Sequence, residues 1–244
     1  MTATGQPAAP GVPGTPGTGL QRLVVATGNR GKLAELRALL EPCGVRCVAQ
    51  RELGIADAEE PHATFVENAL AKARHASAAS GLPALADDSG LCVPALGGAP
   101  GVRSARFSAD AGGEHSEAAN NALLIERLRG MPDRAAFFCC VLVLVRAPDD
   151  PQPVIADGVW HGEVIDVPRG AGGFGYDPHF RVPGLGLGLT AAELPAERKN
   201  GISHRARAMH ELRRKLAEAG LLELPAGAAP GGPTRPGPAE PARS

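Results

Sequence analysis

The sequence predicts an α/β fold, a mixed β-sheet with helices on its faces, and three observations predict it. Strand-like and helix-like stretches alternate through the first half of the chain. Two long apolar runs follow in the second half, close enough for an antiparallel hairpin. Apolar residues reach 43% with only 3% aromatics, so Leu, Val and Ala carry the packing of a sizeable core.

The elements follow in order. Residues 22–27 (RLVVAT) read as a β-branched strand ending in the turn Gly28-Asn29-Arg30-Gly31. Residues 32–40 place Leu33, Leu36, Leu39 and Leu40 on one side of a helix, which Pro42 and Gly44 stop before a second strand at 45–48. Helical spacing recurs at 64–80 through Phe65, Ala69 and Ala73, with Gly81 behind it. Two short strand pieces, 84–86 and 91–93, flank an expected turn Asp87-Asp88-Ser89-Gly90. Residues 116–128 form another helix. The runs 135–146 and 153–166 pair across the turn-rich PDDPQ. Thr190 to Glu193 fits a capping box. A last helix from about Ser203 lines up Ile202, Ala206, Met209, Leu212 and Leu216.

Glycine (32) and proline (23) are concentrated at the ends: residues 1–20 and 223–244 together hold 10 of the 23 prolines. Neither end has an apolar period able to offset ordering entropy, so both read as Pro/Gly-rich disordered tails around one folded domain at 21–222. Lysine plus arginine (25) nearly balances aspartate plus glutamate (26), a net charge of −1. That excludes a general nucleic-acid sleeve and leaves room for a local basic pocket. The start lacks the basic and apolar regions of a signal peptide, and no apolar run has bilayer-spanning length, so no membrane role is expected. Five cysteines without a CxxC pair fit a cytoplasmic protein with buried thiols.

Four segments can carry chemistry. Thr27, Gly28, Asn29, Arg30, Gly31 and Lys32 make a strand-to-helix turn whose amides and lysine suit a phosphate; the spacing is not a Walker A loop, and the bland reading is an ordinary βα turn. Asp87-Asp88 offers oxygen ligands for Mg²⁺ or a proton acceptor for an attacking water, or serves only as local turn chemistry. Glu59 and Glu60 on the preceding loop can complete a metal site or form a solvated acidic pair. In GAGGFGYDP, Phe174 and Tyr176 present a stacking face beside Gly175 and Asp177, or plug the core. Lys199, His204 and Arg205 gather at the start of the last helix, where unpaired amides again favour an anion or a purine edge; the alternative is a Ser203 cap with solvated basic residues.

The order TGNRGK, DDSGL, LGGAPGVRSAR, GGFGYDP, TAAEL and ISHRARA resembles the inosine triphosphate pyrophosphatase family across about residues 22–219. The resemblance implies an elongated mixed sheet with two lobes around a nucleotide cleft, assembled as a homodimer. It implies Mg²⁺-dependent hydrolysis of the deaminated purine nucleoside triphosphates ITP, dITP and XTP to the monophosphate and pyrophosphate. By the same resemblance Asp88 is proton acceptor and metal ligand, and Glu59 or Glu60 completes the metal site. Thr27 to Lys32, Ser89, Phe174 to Asp177, Lys199, His204 and Arg205 contact substrate. The segment 183–190 (PGLGLGLT) departs from the family pattern, being richer in leucine. Two other readings stand beside this one: a nucleotide-binding regulatory module without hydrolysis, and a pyrophosphatase for modified pyrimidine or canonical triphosphates.

Overall fold

A computed structural model describes residues 19–184 and 188–222. The expected tails lie almost wholly outside the described residues, as does the centre of the leucine-rich loop at 185–187. Leu20, assigned above to the tail, packs against the core and donates its N–H to the Leu221 carbonyl at 2.7 Å, so the ordered chain begins slightly earlier.

Six strands form one sheet: β1 (Arg22–Ala26), β2 (Arg46–Ala49), β3 (Ala84–Cys92), β4 (Ala135–Val145), β5 (Val154–Val164) and β6 (Phe180–Arg181). Their order is β2-β1-β3-β4-β5-β6. β1 runs parallel to β2 and β3, and the remaining pairs are antiparallel. The helices are α1 (Arg30–Leu40), α2 (Phe65–Ser80), α3 (Phe107–Asp110), α4 (Glu117–Arg127), α5 (Ala196–Ile202) and α6 (His204–Glu218). Their starts obey local chemistry: Thr64, Ser116 and Ser203 each accept an amide hydrogen bond as N-cap residues of α2, α4 and α6.

One expected turn is not a turn. Residues 84–92 run as a single strand, with Asp87 paired to Leu142 and Asp88 to Val141 on β4. The local preference of Asp and Gly for turns is overridden by pairing along the whole of a long neighbouring strand.

Strand alternation divides the core. Leu23, Val25, Leu85, Leu142 and Leu144 pack on one face with Leu36 and Leu40 of α1 and with Met209, Leu212 and Leu216 of α6. The opposite face sets Val24, Ala84, Ala86 and Val143 against Ala69, Ala73 and Ala76 of α2, whose small side chains let the helix lie close. A third cluster around Leu124, Phe138, Trp160, Tyr176 and Phe180 fills the far ends of β4 and β5. The α6 stripe is rotated from expectation: Ala208 takes the fully buried place given to Ala206, and Ile202 is only partly buried.

Helix α6 approaches β5 at Gly158, where an added Cβ would sit 2.2 Å from the His204 carbonyl oxygen and 2.5 Å from the Ala208 nitrogen. Gly158→Ala is therefore expected to cost about 1–3 kcal/mol through forced displacement of α6. The check is a lowered urea midpoint at unchanged slope, with no shift overturning the close-packing argument.

Candidate active site

Adjacent residues on an extended strand face opposite sides of a sheet. Asp87 and Asp88 therefore enter different environments although they are neighbours in sequence. Asp87, on the α1 and α6 side, is fully buried with Lys32 at 3.1 Å and Arg205 at 3.4 Å. Burial alone would push its carboxyl up, but Lys32, Arg205 and Lys72 outweigh that and hold it well below the usual carboxylate range. Asp88, on the α2 side, meets Lys72 Nζ at 3.0 Å and Asn68 Nδ2 at 3.2 Å. Its pKa is raised, by desolvation first, with Glu60 adding to it against the opposing charge of Lys72. One carboxylate is thus locked ionised as scaffold. The other is biased towards taking up a proton.

Lys72 also lies 2.8 Å from Glu60 Oε1, so one ammonium joins Asp88 to Glu60. Desolvation would lower the Lys72 pKa, but Asp88, Asp87 and Glu60 together raise it. Glu60 is itself lowered: its desolvation is overcome by Lys72, with Lys32 and Arg106 contributing. Glu59 is exposed, whereas Glu60 is half-buried and engaged, so the geometry separates the two glutamates. Among the described residues no group of three or more His, Cys, Asp or Glu side chains is arranged to hold a metal.

Two adjoining cavities share Asn29, Lys32 and Ala105. The first, about 430 Å³, is walled by Ser89, Phe174, Gly175, Tyr176, Asp177, Lys199, His204 and Arg205. The second, about 620 Å³, is walled by Thr27, Gly28, Glu59, Glu60 and Lys72. Asp88 lies beneath Lys72 and is 4% exposed. Arg30 and Gly31, expected to contact substrate, are exposed on the first turn of α1. An added Cβ on Gly31 would lie 3.4 Å from the Phe174 ring.

The amide-rich helix start is largely spoken for. The Asn29 side chain accepts from the N–H groups of Gly31 (2.8 Å) and Lys32 (3.1 Å), which leaves lysine side chains as the principal anion donors there. At α6, Ser203 caps the Ala206 amide as the bland reading held, yet the basic residues are not solvated. Arg205 is 2% exposed, ion-paired with Glu35 and Asp87, and 3.2 Å from Ser89 Oγ. His204 is buried and stacked on Phe138 at 4.8 Å, and its Nδ1 has no partner. Lys199 pairs with buried Asp177 at 2.6 Å and lies 4.8 Å from the centroid of Phe174. The two aromatics divide the readings: Phe174 is a half-buried wall under two cations, while Tyr176 belongs to the core and donates its hydroxyl to the Ser104 carbonyl at 2.9 Å.

Burial drives the His204 pKa down, and Arg205 and Lys199 push the same way. The sign follows: an unfolded histidine takes up a proton near its ordinary 6.5 while the folded one resists, so stability falls as pH drops below that value. Melting temperature is expected to decline from pH 7 to pH 5, with a shallower decline in His204→Phe. Parallel curves would remove His204 as the cause.

Sequence reasoning missed Lys72, Asn68, Glu35 and Arg106. Asn68 and Lys72 carry a signal: they are four apart on α2, beside an alanine stripe where buried polar groups demand partners. Arg106 closes the motif LGGAPGVRSAR but nothing local points to its partner 46 residues away, and Glu35, 170 residues from its partner, carries no signal.

The profile of the Ham1 family matches residues 23–215. The chain belongs to the Ham1 family. It is 64% identical over 197 residues to a dITP/XTP pyrophosphatase of Ralstonia nicotianae, an overlap of 81% of this chain and 97% of that one. A dITP/XTP pyrophosphatase of Bordetella pertussis is 58% identical over 206 residues, covering 84% and 96%. Among solved structures, a HAM1 protein from Coxiella burnetii superposes with a TM-score of 0.74 at 45% identity, covering 82% of this chain and all of that one. The Ham1 protein of Staphylococcus aureus gives 0.71 at 36% identity, covering 81% and 99%. The architecture of this chain, a mixed six-stranded sheet with helices on both faces, is thus the α/β fold of the Ham1 structures. Among the described residues no helix is long and apolar enough to cross a membrane.

Proposed function

We propose that this chain hydrolyses the deaminated purine nucleoside triphosphates ITP, dITP and XTP to the nucleoside monophosphate and pyrophosphate, cleansing the nucleotide pool. The observation that carries the reading is the pair of adjoining cavities. One has an aromatic wall and buried cations, of a size for a base; the other is lined by lysines and carboxylates, of a kind for phosphates. Relatives at 58–64% identity that are named dITP/XTP pyrophosphatases support it.

In this reading Lys32 and Lys72 neutralise the triphosphate, and Thr27, Gly28 and Asn29 form the turn along which it lies. Asp88, held by Asn68 and biased towards protonation, accepts the proton of the water that attacks the α-phosphorus. Asp87 keeps Lys32 and Arg205 in place. Phe174 stacks on the base. His204 Nδ1 and Arg205 Nε, buried without partners, are the groups available to a 6-oxo purine, and an amino group at that position leaves a donor unpaired.

Asp88 and Glu60 offer the carboxylate oxygens that Mg²⁺ prefers, and a single ammonium already holds both, so the donor set fits an ion that keeps several waters. We assign Asp88 and Glu60 as its ligands. Glu59, named with them from the sequence, is left at the cavity rim. When bound, the ion supplies charge neutralisation at the pyrophosphate leaving group. We further propose one folded domain spanning about residues 19–222, a cytoplasmic location in keeping with five cysteines that form no CxxC pair, and a homodimer as the family resemblance implies.

The test is pyrophosphate release from purified protein with Mg²⁺ and a panel of ITP, dITP, XTP, ATP, GTP and dTTP. Faster turnover of the three deaminated purines is expected. Binding without release would restore a regulatory module, and preference for dTTP a pyrimidine enzyme.

A further inference from the structure

Glu60 sits in an irregular stretch between Gly54 and Thr64, with no helix or strand to fix it. A carboxylate that must work together with Asp88, on a strand, therefore needs an anchor from outside its own segment. Asn68 secures the next part of the stretch, accepting from the His62 N–H at 3.0 Å and donating to the His62 carbonyl at 3.3 Å. Glu60 is held by Arg106. Arg106 Nη2 donates to the Glu60 carbonyl at 2.8 Å, while Nη1 lies 3.4 Å from Oε2. Since Lys72 takes Oε1, each oxygen of Glu60 has its own cation, and only Arg106 also grips the backbone.

Arg106 ends the 3₁₀ turn Gly101–Arg106, which is itself pinned to the sheet and to the base-sized cavity. Ser104 Oγ accepts from the Leu91 N–H of β3 at 2.9 Å, and the Ser104 carbonyl accepts the Tyr176 hydroxyl. Asn120 donates to the Ala105 carbonyl at 3.1 Å. The turn is a rigid arm from β3, the strand of Asp88, out to the loop of Glu60. We propose that Arg106 is a positioning residue: through its guanidinium this arm fixes Glu60 relative to Asp88 for the divalent cation. The inference rests on the metal site assigned above and extends it beyond the ligands themselves.

Charge and positioning predict opposite signs. Deleting a nearby positive charge should tighten cation binding, whereas loss of an anchor should weaken it. Mn²⁺ binding to the full chain without nucleotide, followed by electron paramagnetic resonance, reads the difference. Arg106→Ala is expected to weaken Mn²⁺ about 10-fold, within the range for losing a partner of a ligating group. Arg106→Lys, which keeps the charge and loses the two-pronged grip, should weaken it comparably. In a Glu60→Gln background Arg106→Ala should add nothing. Arg103→Ala, in the same turn but paired with Asp110, controls for loosening of the turn and should bind as wild type.

Unchanged or tighter Mn²⁺ binding in Arg106→Ala overturns the proposal, as does a full loss that persists in Glu60→Gln, or wild-type protein that takes up no Mn²⁺. A wild-type chain that binds Mn²⁺ through Glu60, with Arg106 as the anchor of that carboxylate, but releases no pyrophosphate leaves the anchor standing and removes the enzymatic reading.

Discussion

Asp88→Asn is expected to reduce turnover of dITP by at least about 10²-fold, the lower range for losing a general base, while the protein stays folded. Asparagine keeps the shape and the hydrogen bond to Asn68 but removes the lone pair that takes the proton. It also frees Lys72 from one of its two carboxylates, leaving Glu60 to hold it. Burial already disfavours the charge at Asp88, so neutralising it relieves a desolvation cost and the melting temperature should not fall much. The measurements are steady-state pyrophosphate release and a thermal melt on the same sample. Turnover near the wild-type value would move the proton acceptor elsewhere; the remaining carboxylate of the pair is Glu60.

Arg205→Ala acts on another quantity. The guanidinium is buried between Glu35 and Asp87, with Ser89 as a further contact. Removing it strands Glu35 and leaves fully buried Asp87 with Lys32 as its remaining ion-pair partner, and breaking a buried pair from one side costs about 3–5 kcal/mol. Denaturant unfolding should show that loss, and the variant's preference between ITP and ATP would be confounded by it. Base discrimination is better read at His204, whose ring stacks on Phe138 and whose buried Nδ1 has no hydrogen-bond partner. A loss below about 1 kcal/mol in Arg205→Ala would mean that Lys32 alone suffices for Asp87.

Local signals made most elements legible. Thr64 and Gly81 bracket α2 as N-cap and C-cap, and Ser203 opens α6, because capping is decided by residues within one turn. The long runs of β4 and β5 could be paired because their linker is short. The aspartates misled the reading of β3, since turn preference is local and the partner strand lies some fifty residues on. The site was legible where motifs are contiguous, as in Thr27 to Lys32 and Phe174 to Asp177. Its electrostatic wiring was not. Which cation meets which carboxylate depends on the sheet faces, and the ion pairs of Arg205 with Glu35 and of Lys72 with Asp88 span distant parts of the chain.

The alternation of side chains along β3 carries a consequence for how this chain can change. Inserting or deleting one residue between Ala84 and Asp87 would exchange the destinations of two acids, sending Asp88 among the cations that now hold Asp87 and Asp87 towards Lys72. Nine successive pairings with β4 oppose such a slip. Sequence drift in this strand is thereby restricted to replacements of equal length, whereas the segment bearing Glu60 is free of that ladder and can accept changes in length as long as its far end still meets Arg106.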